Sequence, residues 1–551
     1  MKSKRNKQEA GITLLALVIT IIILLILAGI TINAITGDNG IIGNAGKAKE
    51  ETEITNEKEI IEKATIQAMG NNKYGNIEES ELQSELDKET KEGKTEVADV
   101  GDEFEVVFNE SKRYYTVDKD GNVEGAYEII EDTHPGDITV GKDGEALDGS
   151  EEKPYEIWCI EDLVAFSNMV NGEGIRLENS SPIQITSTNR FFSKYVVLKT
   201  SLNFKSKLSY QNSERTDFGD INGNENDGNT LMNEMTTENG FKPIGMVENT
   251  GFGGVFDGQN YWVKEIYISR EDREIGLFAK IGNVSSVVIE NLRISGEMIG
   301  NSGGSIVGTV SLGPEGSNII LQNCINHVNI KTTSLAGGVV GSRGSGASDK
   351  TLMIADCINY GKIEGQNFSG GIIGMAYENT KIINCCNTGE ILNKDKNGGY
   401  EGAGGIVGTT MFKINIINTY NLGNIKAEKN AGGILGYSYW AEKNIENCYN
   451  MGRISGSTVG GIIGGLNLSN DLLITQNCYY LNTNISKGIG GWNTSAEALE
   501  DIQGLTDSEI KSSEIIEKLN NYVIENATRE GIELKKWIKG GDEYPVFDNR
   551  N

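Results

Sequence analysis

The chain begins with a long apolar run, continues with helical and strand-like spacings, and then repeats short apolar runs. Residues 12–32 form an uncharged, largely apolar run of 21 residues. At about 1.5 Å per helical residue this run reaches about 31 Å, the thickness of the hydrocarbon core of a bilayer. Four cations, Lys2, Lys4, Arg5 and Lys7, precede it, so the positive-inside rule places the remaining chain outside the cytoplasm. We therefore predict a single-pass membrane span with the bulk of the protein at the cell surface.

The region after this run carries helix and strand patterns in turn. Residues 45–68 are polar, with apolar positions spaced three to seven residues apart, which predicts a helical stalk. Residues 77–89 predict a short helix. Glu103–Phe108 and Arg113–Asp118 alternate as strands, and Asp120-Gly121 after them is a hairpin turn signal. We expect a small α+β module here. A linker is expected over 131–154, where acidic residues and glycine replace periodic hydrophobicity.

A glycine–glycine–aliphatic–aliphatic–glycine phrase repeats from about residue 300. The final glycines of successive copies lie 33, 33, 34, 28 and 28 residues apart, and periods of about 20–50 residues are typical of solenoids, propellers and arrays. Each period holds about three short apolar runs, which predicts three strands and three corners per turn of a parallel β-solenoid. A propeller blade needs four antiparallel strands in about 40–45 residues, so this period is too short. The copies are the looser 303–308 and the closer 337–341, 370–374, 404–408, 432–436 and 460–464.

Two further positions of the repeat, one asparagine and one cysteine, carry the same residue type in nearly every copy. The asparagine is expected to stack on its equivalents in neighbouring coils and to take the left-handed turn conformation. The glycines of the repeat are expected to supply positive φ at the corners. A cysteine two residues earlier, replaced once by Thr419, is interpreted as a thiol ladder in the core. A disulfide between adjacent turns is the less favoured alternative, and the spacing does not fit a zinc site. The positions are Asn326, Asn359, Asn387, Asn421 and Asn450, and Cys324, Cys357, Cys385, Cys448 and Cys478.

The last residues predict an end to the solenoid. Thr506 and Glu509 form a capping-box pattern that opens a helix running to about Asn526. Trp537 and residues 544–546 are expected to join this helix in plugging the open end, because bare terminal strands are aggregation templates. Neither a sorting motif nor a second apolar span appears near the carboxyl end, so anchoring is expected to depend on the amino end.

The composition of the chain argues against nucleic-acid binding and against two classes of hydrolase. The chain carries 78 acidic and 50 basic side chains, a formal charge of −28, which repels nucleic acid, so we predict no nucleic-acid partner. The 70 glycines and 6 prolines fit a backbone with many tight corners whose amides nearly all donate hydrogen bonds. Neither His134 nor His327 has metalloprotease spacing, and the outward carboxylates show no concentrated pair for glycoside hydrolysis. We therefore predict a protein that is not an enzyme and binds no cofactor.

One loop offers oxygen ligands at alternate positions. Asp220, Asn222 and Asn224 alternate and Asp227 follows them, as the ligands of calcium loops do. Glu225 occupies the sixth place, where such loops have glycine. The segment is therefore also interpreted as an ordinary polar loop, and we predict no metal apart from this calcium candidate.

Residues 11–16 read Gly-Ile-Thr-Leu-Leu-Ala, and this pattern resembles the start of a type IV prepilin. In that family a prepilin peptidase cuts after the glycine. The resemblance implies processing between Gly11 and Ile12 and a prepilin peptidase as partner. This sequence departs from the family at Ala16, where pilins have a glutamate that helps subunits assemble. The departure weakens the case for packing into a filament.

The repeats resemble the GLUG motif, named for its glycine–leucine–any–glycine core. The resemblance extends over residues 154–480 and includes a short opening helix at 160–167 and phrases at 241–245, 256–260 and 275–278. GLUG motifs occur in bacterial surface proteins and as accessory repeats in some immunoglobulin-cleaving proteases. The resemblance therefore implies an architecture and brings no active site with it.

Together these patterns predict a mainly β protein: a parallel β-solenoid (β-helix) of GLUG-type repeats, preceded by a long transmembrane and stalk helix and a small α+β module, with a C-terminal helical cap. The expected role is adhesion or display at the bacterial cell surface, with a surface glycan or protein as ligand. Two alternatives stay open, a pilin-like filament or secretion-system subunit with a large solenoid head, and a polysaccharide-active β-helix enzyme. The expected segments are a leader 1–11, span and stalk 12–70, module 71–130, linker 131–154, first solenoid part 155–300, GLUG repeats 301–494 and cap 495–551.

Overall fold

The structure is a computed structural model, and the chain divides into two compact units, residues 1–129 and 130–551. The residues that it describes are 41–71, 77–91, 93–99, 103–128, 136–171, 193–204, 239–246, 251–282, 286–311, 318–344, 350–377, 379–394, 401–440, 442–467, 473–483, 485–492, 498–499 and 501–548. Within these residues, no helix has the length and hydropathy needed to cross a bilayer. The predicted span at 12–32 lies outside them.

The first unit packs two helices against a four-stranded antiparallel sheet. Its elements are α1 (Ile41–Asn71), α2 (Glu79–Thr90) and the strands Thr95–Asp99, Glu103–Phe108, Arg113–Asp118 and Val123–Glu128. Helix α1 buries Ile61, Ala64 and Ala68 in the core that it shares with α2 and the sheet. Their spacing of three and four residues sets them on one face of the helix, which is the face that packs. The two strands predicted here form with their expected bounds.

A buried charged cluster fixes α1 to this sheet. The Arg113 guanidinium donates to both carboxylate oxygens of Glu57, with Nε–Oε2 and Nη2–Oε1 distances of 2.9 and 3.1 Å. The Tyr115 hydroxyl donates to Oε2 of the same carboxylate at 2.7 Å. Burial would raise the pKa of Glu57, but the hydrogen bonds from Arg113 and Tyr115 hold that pKa below its usual value. The carboxylate therefore stays ionised at neutral pH and sets the position of α1 on the sheet.

The second unit is a parallel β-solenoid built from three sheets, which confirms the architecture predicted from the repeats. Equivalent strands of successive coils pair in parallel and in register. Val340 lies opposite Ile373, for example, and Ile373 lies opposite Val407. The inward apolar side chains stack from coil to coil and form one continuous core. Because each coil contacts its neighbours through the same positions, the sequence has to repeat at the spacing of the coils.

We name the three sheets A, B and C. Sheet A contains the eight strands Phe278–Gly282, Val307–Ser311, Val340–Arg343, Ile373–Ala376, Val407–Thr410, Leu435–Tyr439, Ile463–Asn467 and Ile489–Trp492. Sheet B contains the eleven strands Tyr155–Ile157, Tyr195–Leu198, Val255–Asp257, Ser286–Glu290, Asn318–Gln322, Leu352–Ala355, Thr380–Ile383, Ile414–Ile417, Lys443–Glu446, Leu473–Gln476 and Ala498–Leu499. Sheet C contains Leu202–Asn203, Trp262–Ile275, Arg293–Gly304, Ile325–Thr332, Leu335–Gly337, Ile358–Asn359, Ile363–Gly365, Phe368–Gly370, Cys386–Asn387, Ile391–Asn393, Gly402–Gly404, Tyr420–Asn421, Ile425–Ala427, Asn430–Gly432, Tyr449–Asn450, Ile454–Ser455, Thr458–Gly460, Cys478–Leu481 and Ile502–Leu505.

The central coils contain five short strands each, where three were predicted. In the coil that begins with Ile373–Ala376, sheets A and B supply one strand each and sheet C supplies three. The two strands that the sequence analysis missed are Cys386–Asn387 and Gly402–Gly404. They are two or three residues long and consist of small and polar residues, so they leave no apolar run to detect.

Helix α3 (Ile160–Val170) closes the start of the solenoid. It follows the first strand of sheet B, and all 11 of its residues are buried. Phe166 packs against Phe252, Phe256 and Phe278, with ring centroids 5.6, 6.0 and 6.4 Å apart. The short opening helix predicted in this region is therefore present, and its aromatic contacts cover the first coils.

The repeat glycines allow close approach of neighbouring coils, and this corrects the interpretation that they supply positive φ. A Cβ atom added at Gly371 would lie 2.1 Å from the Gly405 carbonyl oxygen on the next coil. The left-handed turns are made instead by the residue before each cysteine, for example Asn384 and Asn447, whose φ angles are 54° and 53°. Asparagine enters this region more easily than most residues because its short polar side chain bonds to nearby groups.

Two asparagine ladders run along the solenoid. The stacking predicted for the first ladder is confirmed, since Nδ2 of Asn359 donates to Oδ1 of Asn387 at 2.6 Å, and Nδ2 of Asn387 donates to Oδ1 of Asn421 at 2.7 Å. The left-handed conformation predicted for the same asparagines is wrong, because none of them has a positive φ. The second ladder consists of the left-handed residues and was not predicted. In it, Nδ2 of Asn418 donates to Oδ1 of Asn384 at 2.7 Å. Each buried amide thus finds its partner on an adjacent coil, as a buried polar group requires.

The carboxyl-terminal segment, residues 507–548, lies along the side of the solenoid rather than over its open end, which corrects the predicted plug. Its apolar residues form a core with outward side chains of successive coils, from Met353 to Tyr479. The Trp537 indole donates to Oδ1 of Asn418 at 2.8 Å, so the segment also bonds to the second asparagine ladder. Its elements are α4 (Asp507–Ile510), α5 (Ser513–Asn526) and the strands Thr528–Arg529, Ile532–Glu533, Trp537–Lys539 and Pro545–Phe547.

Candidate functional site

The residues predicted for processing and for calcium lie outside the described part of the chain. Among the residues that the structure describes, no group of three or more histidine, cysteine, aspartate or glutamate side chains could hold a metal ion. His327 is described, and its ring stacks on that of Tyr360 with centroids 4.5 Å apart. The undescribed candidates are Gly11, Ile12, His134, Asp220, Asn222, Asn224 and Asp227.

The cysteine row lies in the core, as the sequence predicted. All seven cysteines are buried and none is in a disulfide, and Thr419 takes the missing place in the row with its hydroxyl oxygen 3.3 Å from the Cys448 sulfur. The five side chains of the row fill the interior of the coils. Cys386 lies outside the row, in the core shared with the carboxyl-terminal segment, and burial raises its pKa to about 12, so its thiol stays protonated at neutral pH and is a poor nucleophile.

A row of aromatic side chains on the outside of the solenoid is the strongest candidate for a binding site. We name it the aromatic ridge, and it consists of Tyr377, Phe412, Tyr439 and Trp440. These residues lie at or within two residues of the ends of three successive strands of sheet A. Because stacked coils place equivalent corners one above another, the ridge runs along the axis of the solenoid.

The rings of the ridge are close together but tilted. Ring centroids are 5.0 Å apart for Tyr377 and Phe412, 6.0 Å for Phe412 and Trp440, and 5.7 Å for Tyr439 and Trp440. The corresponding interplanar angles are 57°, 48° and 50°. The Trp440 side chain is 50% exposed, and the other three are half-buried. Tilted rings leave part of each face open, whereas face-to-face stacking would cover it.

Backbone hydrogen bonds between the corners hold the ridge in place. The Met411 amide donates to the Ala376 carbonyl at 3.0 Å, and the Phe412 amide donates to the Tyr377 carbonyl at 3.1 Å. On the third coil, the Lys443 ammonium donates to the Trp440 carbonyl. The corners are therefore continuations of the stacked coils, and the rings have a fixed spacing before any ligand arrives.

One ion pair lies beside the ridge. The Lys413 ammonium lies 3.1 Å from the Glu442 carboxylate, with the two side chains 49% and 40% exposed. An exposed pair of this kind adds little stability, and its two charges cancel next to Phe412 and Trp440. The pair therefore adds no net charge beside these apolar rings, on a chain whose formal charge is −28.

Sequence reasoning missed the ridge, although a signal for it was present. Tyr377 lies three residues after the last glycine of its phrase, and Phe412 lies four residues after the last glycine of the next. Tyr439 and Trp440 occupy these same two offsets after Gly436. The glycine and cysteine phrases align from copy to copy, whereas the corner segments between them vary in length and residue type, so the aromatic positions do not stand out.

Comparisons with known proteins give one distant structural likeness. No protein-family model matches the chain, and no curated protein matches it. Among solved structures, the chain is similar to a Bacteroides ovatus protein described as a "putative immunoglobulin A1 protease", at 17% identity and a TM-score of 0.44 over 76% of this chain and 99% of that one. So distant a likeness carries no argument about activity. The described residues define a β-solenoid repeat protein.

Proposed function

We propose that this protein is a membrane-anchored, non-enzymatic bacterial surface protein that acts in adhesion or display through its solenoid. The observation that carries the proposal is the aromatic ridge. Aromatic side chains that combine apolar faces with partial exposure are typical contact residues for ligands. Because the stacked coils fix the rings in advance, binding would not incur the entropy loss of ordering a flexible loop.

The proposed anchor is the apolar run 12–32, exported by the prepilin route with cleavage between Gly11 and Ile12. Support comes from the length of the run and from the four cations before it. Amino-terminal sequencing of the protein isolated from cells tests this part, because a mature chain that begins at Ile12 requires prepilin-type cleavage. A chain that still begins at Met1 would contradict it.

A second candidate function is that of a filament or secretion-system subunit. The first unit favours it, because a long helix, α1, packs on an antiparallel sheet through Ile61, Ala64 and Ala68, and pilin-like subunits need such a helix and head. Shearing the cells separates the two functions. Recovery of the protein in sheared polymeric fibres would favour the subunit, and its retention in the membrane fraction favours the tether.

The adhesive function is tested in cells that express the full chain. We expect the protein in the membrane fraction, cleavable by protease added outside, and we expect these cells to adhere better than cells that lack it. Trp440→Ala should reduce adhesion without changing the amount at the surface, while Ile524→Ala, at a residue 70% exposed outside the ridge, should leave adhesion unchanged. Protein confined to the cytoplasm, or adhesion that is equal with and without the protein, would contradict the proposal.

A further inference from the structure

The spacing and the surroundings of the aromatic ridge point to one class of ligand. We propose that the ridge binds an uncharged, extended polysaccharide whose chain lies along the solenoid axis, one sugar ring after another on Tyr377, Phe412 and Trp440. This inference rests on the proposed function, since it names the ligand of the same surface.

The first argument is the spacing. Ring centroids at 5.0 and 6.0 Å follow the stacking of coils about 4.8 Å apart, which is comparable to the length of one sugar ring in an extended polysaccharide. The axial C–H groups of a sugar ring are weakly electropositive and pack on the negative face of an aromatic ring. A linear polymer can therefore repeat the same contact on each successive coil.

The second argument is the openness of the rings. Trp440 is 50% exposed and tilted by 48° from Phe412, so a ligand can cover its face while keeping its own hydroxyl groups in water. That arrangement suits sugars, because burying a hydroxyl without a hydrogen-bond partner is costly. By contrast, Tyr360 is 47% exposed but lies nearly parallel to His327, at 21°, so one of its faces is already covered.

The third argument concerns charge. Lys413, the cation beside Phe412, is paired with Glu442 at 3.1 Å, and the chain as a whole carries −28. An acidic polysaccharide would meet net repulsion, and the charge of Lys413 is already balanced by Glu442. The ridge therefore favours a neutral polymer over a polyanion.

A folded protein is the less suitable partner for this surface. Stable protein–protein interfaces bury about 800 Å² on each side, whereas the ridge is one or two aromatic side chains wide and has the Lys413–Glu442 pair beside it. A narrow row of rings on three coils fits a single extended chain. A protein partner is instead one of the outcomes that the experiment distinguishes.

The test is native gel electrophoresis of the purified full chain in detergent, with a soluble polysaccharide cast into each gel. The neutral probes are a mixed-linkage β-glucan, a galactomannan and dextran, and the acidic probe is polygalacturonate. We expect retardation by at least one neutral probe. Trp440→Ala should raise the dissociation constant about tenfold or more, as truncation of a central aromatic contact does.

Three further variants make the result specific to the ridge. Phe412→Ala should also weaken binding, and Trp440→Phe should recover much of it, because the ring is restored. Tyr360→Ala is the matched control, since this residue is as exposed as Trp440 and lies outside the ridge. Retardation by polygalacturonate alone, by no probe, or equally in wild type and Trp440→Ala would overturn the inference.

The outcomes separate this inference from the proposed function. Adhesion that depends on Trp440 but shows no retardation by any neutral probe would overturn the polysaccharide ligand, indicate a protein partner and leave the surface role intact. Binding to a neutral probe by a protein found in the cytoplasm would support the polysaccharide ligand and contradict the surface role. Release of new reducing ends from a bound polysaccharide would support the ligand class and contradict the non-enzymatic role.

Discussion

The close packing of neighbouring coils leaves no room for a side chain at the second glycine of the repeat phrase. At Gly371 an added Cβ would lie 2.1 Å from the Gly405 carbonyl oxygen and 2.5 Å from Cγ of Asn387. Ordinary contacts begin at 3.4 Å, so the two coils would have to separate by about 1.3 Å, from 2.1 to 3.4 Å. We predict that Gly371→Ala strongly destabilises the second unit.

The magnitude follows from the bonds that this separation would break. The Ile372 amide donates to the Ile406 carbonyl at 2.9 Å, and a displacement of about 1.3 Å would stretch that distance beyond hydrogen-bonding range. Overpacking costs about 1–3 kcal/mol, and leaving a buried backbone group unpaired costs about 1–3 kcal/mol. We therefore expect Gly371→Ala to lower the free energy of unfolding by about 2–6 kcal/mol.

Urea unfolding of the full chain, followed by far-ultraviolet circular dichroism, measures this loss. Gly541→Ala is the matched control, because a Cβ at Gly541 meets no atom within 4 Å, and its effect should stay within about 0.5 kcal/mol. If Gly371→Ala unfolds at the same urea concentration as Gly541→Ala, the inferred contact between coils is wrong.

Three other predictions concern the side segment, the first unit and the thiols. Trp537→Ala should cost about 3–5 kcal/mol and make residues 507–548 sensitive to protease, because Trp537 is 2% exposed, while Ile524→Ala, at 70% exposure, should not. In the first unit, the pKa of Glu57 is lower in the folded state than its ordinary 4.5. Its contribution to stability is therefore present above pH 4.5 and is lost as the pH falls through the folded-state pKa, so Glu57→Gln should flatten the acid side of the stability curve measured by circular dichroism. A thiol reagent should titrate all seven cysteines after unfolding. It should react slowly with the native protein, because Cys386 and the other cysteines are buried. Fewer than seven titrated thiols would indicate a disulfide.

Periodicity explains which ladder the sequence revealed. Asn359 and Asn387 follow cysteines within one recognisable phrase, so their stacking was predicted. The left-handed ladder has aspartate at Asp356 where Asn384 and Asn418 occupy the following coils, and it directly precedes the cysteine. Both ladders repeat in the sequence. The left-handed turns were assigned to the glycines and to the first ladder, whereas the residues of the second ladder make them.

The sequence by itself determined the solenoid, because the contacts that stabilise it repeat every coil and leave a period in the residues. The tertiary structure alone decided where residues 507–548 lie. Along one row of sheet B, the outward residue changes from Glu290 and Gln322 to Ala355, Ile383 and Ile417, and the last three join the core that the side segment completes. The change to apolar residues is visible in the sequence, but the segment that covers them is not. The contact of Trp537 with Asn418 joins residues 119 positions apart and occurs once, so no period records it.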